Sequence, residues 1–225
     1  VETLRLAGVG KELSLRTLGS NYYHLVLQYL RQRWQNDLDL RADVEMLDSP
    51  RQVSFDGDVF SHSHFFFQER RYGASTTTRG QSAQYAYIDN RIPVRISYVF
   101  RVLQPHYSDR FAELKANFAI VQRFCPLRAA FSFPWDLRAV DLGIHVWEAE
   151  ELMAPEVVAL ERFSGQFVLA PISSHGHNIW ITIAHDHVRI IYLLLEAMFT
   201  MWHERIDRNG MIARMHRNGQ GSKKI

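Results

Sequence analysis

The chain has 225 residues, a hydrophobic share of 47% and a charged share of 22%, the balance of a globular protein that can bury one sizeable core. Its formal net charge of +2 is too small to predict a nucleic-acid or membrane partner for the chain as a whole. The single cysteine, Cys125, excludes an internal disulfide framework and a cysteine-based zinc site, and no apolar run approaches the roughly 20 residues of a membrane helix.

The first predicted element follows an N-terminal arm, residues 1–19, in which charged residues, glycine and leucine have no firm period. Ser20 or Asn21 is a suitable cap for an amphipathic helix that ends near Asn36. Aromatic residues and leucines lie along one stripe of that helix, as they do when one helix face packs on a core. Residues 52–71 come next and are rich in valine and phenylalanine, which favour strands.

The clearest pattern in the chain spans Arg91–Phe124. Apolar residues alternate along its first half, from Ile92 to Val102, which predicts a strand with one buried face. Ser108 or Asp109 can cap a helix, and the residue before Pro126 is pushed out of the helical region. The second half therefore predicts an amphipathic helix with apolar residues at helical spacing, namely Phe111, Leu114, Phe118 and Val121.

The remaining elements complete a predicted α+β fold. Three further strands and a C-terminal helix follow in chain order, at residues 137–147, 160–169, 179–184 and 188–206. We expect a single α+β domain, residues 20–206, with a mixed or antiparallel sheet of about five to seven strands. Two to three amphipathic helices flank that sheet, and an extended hairpin and terminal arms project from it. Residues 207–225 form a basic C-terminal tail.

Paired histidines are the most suggestive metal-binding pattern in the sequence. Residues two apart on a strand point to the same side, so such a pair can offer two imidazoles to one metal ion. Asp56 or Asp186 could add an oxygen ligand. No known metal signature is present, however, and ordinary surface histidines give the same pattern. We predict no metal and no cofactor, and the ligands to test are His175, His177, His185 and His187.

Motifs for catalysis are weak. Ser164-Gly165 lacks the glycine frame of a nucleophile elbow, and glycine loops of the P-loop or dinucleotide type are absent from the sequence. Cys125 immediately precedes a proline, and we expect a structural thiol rather than a reactive one. The sequence therefore predicts a protein that is not an enzyme.

Two basic segments are the predicted interaction elements. The first is the small polar loop Gly73–Gly80, expected to be an exposed hairpin tip, whose arginines and backbone N–H groups suit phosphate contacts or simply face solvent. The second is the C-terminal tail, which suits a nucleic-acid backbone, an acidic protein surface or a solvated, disordered state. Their candidate contact residues are Arg70, Arg71, Thr76, Thr77, Thr78, Arg79, Arg208, Arg214, Arg217, Lys223 and Lys224.

The strand that starts at Pro93, followed by the aspartate-started helix Asp109–Phe124 and preceded by the helix Tyr22–Trp34, resembles the tail terminator and tail-completion proteins of contractile-tailed bacteriophages. The resemblance spans residues 20–169 and rests on the order of elements. Members of that family form a hexameric ring that caps the tail tube and sheath. The resemblance implies a homo-hexameric structural protein of the virion tail or neck, assembled in the host cytoplasm. It implies contacts with tube, sheath or neck proteins, DNA nearby without sequence-specific contact, and no catalytic residues.

Two other functions stay open from the residues themselves. The paired histidines favour a metal-binding, hydrolase-like domain. The basic tail, together with Arg70, Arg71 and Arg79, favours a nucleic-acid-binding module whose affinity falls with salt.

Overall fold

Strands carry most of this fold. The structure is a computed structural model that describes residues 4–8, 10–42, 52–89, 91–105, 113–128, 143–174 and 177–184, with isolated positions at 45, 133, 136 and 139. Strands hold 61% of the described residues. Among these residues, no helix has the length and apolar character needed to cross a membrane.

Fourteen strands and two helices are defined in the described part of the chain. The helices are α1 (Leu15–Leu18) and α2 (Ser20–Arg33), and short 3-10 turns cover Gln81–Ala83 and Leu160–Arg162. The strands are β1 (Arg5–Leu6), β2 (Lys11–Ser14), β3 (Asp39–Ala42), β4 (Gln52–Phe55), β5 (Asp58–His62), β6 (His64–Phe67), β7 (Arg70–Gly73), β8 (Tyr85–Ile88), β9 (Ile92–Pro105), β10 (Glu113–Pro126), β11 (Ile144–Leu152), β12 (Glu156–Ala159), β13 (Phe163–Ser174) and β14 (His177–Ala184).

The main sheet has nine strands, and part of it closes on itself. Strands β9, β10, β11, β14, β13 and β8 each pair with the next in that order, and β8 pairs with β9 again. All of these pairings are antiparallel. Strand β12 adds to β10 on one side, and β5 followed by β2 adds to β9 on the other. Closure gives each of these six strands a partner on both sides over part of its length, and free edges remain on the added strands and at the outer ends of β9 and β10.

The predicted helix at 109–124 is wrong, because residues from Glu113 to Pro126 form strand β10. This strand pairs with β9 along nearly its whole length, from Glu113 opposite Pro105 to Arg123 opposite Val94. Phe118 faces the core beneath α2, and Val121 faces a second core on the other side. A strand buried on both faces has no polar face to alternate with the apolar one, so its apolar spacing also fits a helix.

The predicted α+β class is wrong for the same reason. In the described residues the fold is mostly β, with one large antiparallel sheet and with α2 as its only helix longer than one turn. The first predicted helix is confirmed as α2, and the predicted strand from Ile92 is confirmed as β9. The predicted helix at 188–206 and the basic tail at 207–225 lie outside the described residues.

Aromatic side chains fill the core on both sides of the β9–β10 pair and inside the closed part of the sheet. Helix α2 buries Tyr23, Val26 and Leu30 against Phe100 and Phe118. The second core lies beneath β6 and β7, and the third lines the interior of the closed strands, with the members Tyr87, Phe124, Phe167, Ala184, Tyr85, Trp147, Leu152, Leu169 and Trp180. These cores fix the surfaces on which the candidate contact residues stand.

Candidate interaction surface

A small three-stranded sheet, β1–β6–β7, lies on the second core and has two unlike faces. Its inner face carries Phe65 and Tyr72, which are fully buried and stacked with ring centroids 5.0 Å apart. Its outer face carries Arg5, Phe66 and Arg71, which stand opposite one another across the strands. Alternation along each strand produces this division, since neighbouring residues point to opposite faces.

The outer face combines cations with aromatic rings. The guanidinium carbon of Arg5 lies 4.9 Å from the centroid of the Phe66 ring, a cation–π contact. The His64 ring meets the same phenylalanine edge-on at 5.5 Å. Phe66 is half-buried. Because β6 is the central strand, Phe66 has an arginine opposite it on each side, Arg5 on β1 and Arg71 on β7. We call Arg5, His64, Phe66, Arg71 and Arg79 the cationic face.

The Gly73–Gly80 segment joins this face, and its backbone is folded back onto β9. Ser75 N–H donates to the Ile96 carbonyl at 2.8 Å, and the Thr76 hydroxyl donates to the Ser97 carbonyl at 2.8 Å. Thr77 caps the turn from within: its hydroxyl donates to the Ala74 carbonyl at 3.1 Å. The segment is therefore a packed turn with outward-facing side chains, and Thr76, Thr78 and Arg79 are exposed.

Two glycines allow this turn to close. A Cβ at Gly73 would lie 2.3 Å from the Gly80 carbonyl oxygen, and a Cβ at Gly80 would lie 2.3 Å from the Ala74 carbonyl oxygen. No side chain fits at such a distance from backbone atoms, so the two ends of the turn approach as only glycines can. Arg71 on β7 also stabilises the turn, because its Nη2 donates a hydrogen bond to the Arg79 carbonyl at 2.5 Å.

The predicted contact residue Arg70 lies apart from the cationic face. It pairs with Phe67 at the end of the β6–β7 hairpin and points to the inner side. Its Nη1 donates to the Ser164 carbonyl at 3.4 Å, and a Cβ at Gly165 would lie 3.0 Å from the same nitrogen. Arg70 therefore joins β7 to β13, which is a structural role.

Positive charge on the cationic face is not neutralised within the described part of the chain. None of the ion pairs among these residues involves Arg5, Arg71 or Arg79. Partial burial lowers the pKa of His64, and the nearby Arg71 and Arg79 guanidinium groups lower it further. His64 is consequently neutral near pH 7, and the arginines alone supply the charge.

Three of the four predicted metal ligands lie outside the residues that the structure describes. His177 begins β14 and is exposed, while His175, His185 and His187 lie outside the described residues. No group of three or more histidine, cysteine or acidic side chains in the described ranges is arranged to hold a metal ion. The tail residues Arg208, Arg214, Arg217, Lys223 and Lys224 also lie outside these ranges.

Arg71, Arg79 and the three threonines were predicted as contact residues from the sequence, whereas Arg5 and Phe66 were not. Arg5 and Phe66 lie side by side because β1 pairs with β6. Strand β1 has only two residues, Arg5 and Leu6, so the local sequence gives little indication of this pairing.

Comparisons with known protein families, with curated proteins and with solved structures find no match to this chain.

Proposed function

We propose that this chain is a structural assembly protein that associates with further copies of itself. In its specific form the proposal is a ring-forming connector or terminator of a phage-like tail, a hexamer that caps the tube and sheath in the virion. Sheath, tube or neck proteins are then its other partners. One element of the resemblance to tail terminators is absent, because the expected aspartate-started helix is strand β10. Two other elements of that resemblance, the helix α2 and the long strand β9, are present.

The observation that carries the proposal is the outer part of the β9–β10 hairpin, which extends past the strands that flank it. Strands β5 and β12 pair with its two sides only as far as Arg101 and Phe118. Beyond these residues the hairpin strands pair only with each other in the described structure, over four pairs from Val102–Ala116 to Pro105–Glu113. We call this outer part, residues 102–105 and 113–116, the arm.

The arm is fixed at its base and open on its outer side. Val102 and Ala116 are 1% and 0% exposed in the core beneath α2, which anchors the inner face. Pro105, Glu113 and Lys115 are exposed on the outer face, and Leu103 is half-buried there. A pre-ordered arm loses little conformational entropy on binding, which favours its use as a contact element.

A groove lies beside the arm and shares residues with it. It has a volume of about 500 Å³, and its lining includes Leu103, Gln104 and Pro105 of the arm, the acidic residues Glu12, Asp56 and Asp58, and apolar residues such as Phe55 and Val59. The exposed hairpin of one copy and the polar groove of another give a head-to-tail contact, which closes into a ring when the rotation between copies allows it.

The experiment is a light-scattering measurement of molar mass over a series of protein concentrations. We expect the molar mass to rise with concentration above that of one 26.3 kDa chain. The double variant with Leu103→Asp and Lys115→Glu on the arm should stay monomeric at the same concentrations. Glu161→Lys, an exposed charge change on the 3-10 turn before β13, is the matched control and should assemble as the parent does. A strict monomer at every concentration, or a double variant that assembles normally, contradicts the proposal.

A further inference from the structure

We infer that the cationic face binds single-stranded nucleic acid, with its arginines on the phosphates and the Phe66 ring against a base. This activity is separate from self-association, because the cationic face belongs to the β1–β6–β7 sheet and the arm belongs to β9 and β10. The inference is carried by the row Arg5–Phe66–Arg71 across three strands and by Arg79 beside it.

The cations of this face suit phosphate. All three are guanidinium groups, whose planar N–H forks match phosphate oxygens with two bonds at once. The forks of Arg5 and Arg79 are exposed, whereas the Nε of Arg71 is buried and its outer nitrogens are the ones near the surface. Arg5 and Arg79 are exposed, and no carboxylate of the described residues pairs with them. Arg71 uses its Nη2 on the Arg79 carbonyl, and this bond holds the two arginines side by side. Such a group attracts a polyanion before any specific contact forms.

An aromatic ring among these cations points to nucleic acid rather than to an acidic peptide. Single-stranded nucleic acid is typically held by a basic surface on which bases stack against aromatic side chains. Phe66 stands on the central strand with one ring face against the Arg5 guanidinium at 4.9 Å. When Arg5 turns to a phosphate, that ring face becomes available to a base. An acidic peptide needs only the charges and gains nothing comparable from the ring.

The support beneath the face keeps these groups in place. Phe65 and Tyr72 stack under the sheet, and Phe65 also meets Phe163 edge-on at 5.1 Å. Gln166 Nε2 donates to the Arg71 carbonyl at 2.5 Å, so β13 fixes the strand that carries Arg71. A surface held in this way pays little ordering entropy when a strand of nucleic acid binds.

The test is fluorescence anisotropy of the full chain with a labelled 12-nucleotide single-stranded RNA, the same DNA and a labelled polyglutamate peptide, over a salt series. We expect the nucleic acids to bind at low salt, with log affinity falling against log salt at a slope of about −2 for three phosphate contacts. Arg5→Ala with Arg79→Ala should flatten that slope. Phe66→Leu should keep the slope and weaken binding about tenfold. Arg33→Ala, an exposed arginine on α2, is the matched control.

Arg71→Lys serves as a second variant, because it keeps the charge while it removes the planar fork that also holds the turn. We expect weaker nucleic-acid binding with an unchanged circular dichroism spectrum. The inference is overturned by the absence of nucleic-acid binding at low salt, by binding that Arg5→Ala with Arg79→Ala leaves unchanged, or by polyglutamate binding as tightly as RNA with the same sensitivity to these variants. The last result would assign the face to an acidic protein partner.

Discussion

At the residue scale, His62 and His64 lie two residues apart in the sequence and occupy different environments. His62 ends β5 with 4% of its surface exposed, and its Nδ1 lies 3.2 Å from the Ala7 carbonyl. Burial lowers the pKa of His62, the Ala7 contact opposes that shift, and Arg101 adds to it. Gly10 packs against the ring, since a Cβ there would lie 2.8 Å from Nε2. His62 is thus a neutral core residue, whereas His64 stands on the cationic face.

We expect His62 to make the free energy of unfolding fall as the pH drops from 7 to 5. A histidine with a lowered pKa binds its proton more readily in the unfolded chain, so acid favours unfolding below an unfolded pKa of about 6.5. His62→Gln should reduce this dependence on pH, and urea denaturation at pH 5 and pH 7 measures it. His24→Gln, which changes an exposed histidine on α2, is the control. An equal loss of pH dependence in both variants would contradict a special role for His62.

At the element scale, the packed turn between Gly73 and Gly80 depends on backbone contact. Gly80→Ala places a methyl group 2.3 Å from the Ala74 carbonyl oxygen, and overpacking of this kind costs about 1–3 kcal/mol. We expect a matching loss in the free energy of unfolding by urea denaturation. Thr78→Ala changes an exposed side chain of the same turn and should stay within about 0.5 kcal/mol of the parent. Equal stability of Gly80→Ala and the parent would refute the close approach.

The β6–β7 hairpin stores strain at its tip. Gln68 and Glu69 form its two-residue loop with φ values of 49° and 61°, a left-handed conformation that favours glycine and asparagine. Glu69→Gly should therefore raise the free energy of unfolding by about 1 kcal/mol. Thermal or urea denaturation measures the change, and Glu161→Gly, at an exposed position outside any left-handed turn, should be neutral or destabilising. A destabilised Glu69→Gly protein would show that the Glu69 side chain matters more than its backbone.

Elements whose apolar residues follow a clear period were predictable from the sequence, and elements set by distant pairing were not. Helix α2 has one buried face, and the alternating apolar residues of β9 predicted a strand, although side chains on both faces of β9 are buried. Strand β10 separates two cores, so both of its faces are apolar and its pattern resembles a helix. The cationic face depends on Arg5 meeting β6 some sixty residues later, a contact that no local pattern encodes. Arg71 and Arg79 were predicted because arginines beside a polar loop are visible locally.

At the scale of the whole molecule, closure of the sheet leaves few free strand edges among the residues that the structure describes. The closed strands form backbone hydrogen bonds with one another, and aromatic side chains pack in the space that they enclose. Strand β2 at one end of the sheet carries the exposed charges Lys11 and Glu12, which discourage edge-to-edge pairing. The arm and the cationic face project from this body on different elements. This division suits an assembly protein that contacts its own copies on one surface and nucleic acid on another.

Electron microscopy of the purified, untagged chain at high concentration, alone and mixed with tail components, tests the assembly role most directly. We expect closed rings of several copies, with six copies for the tail-terminator form, and the loss of these rings in the variant that carries Leu103→Asp and Lys115→Glu. Particles the size of one chain under both conditions, in samples that light scattering also finds monomeric, would contradict it.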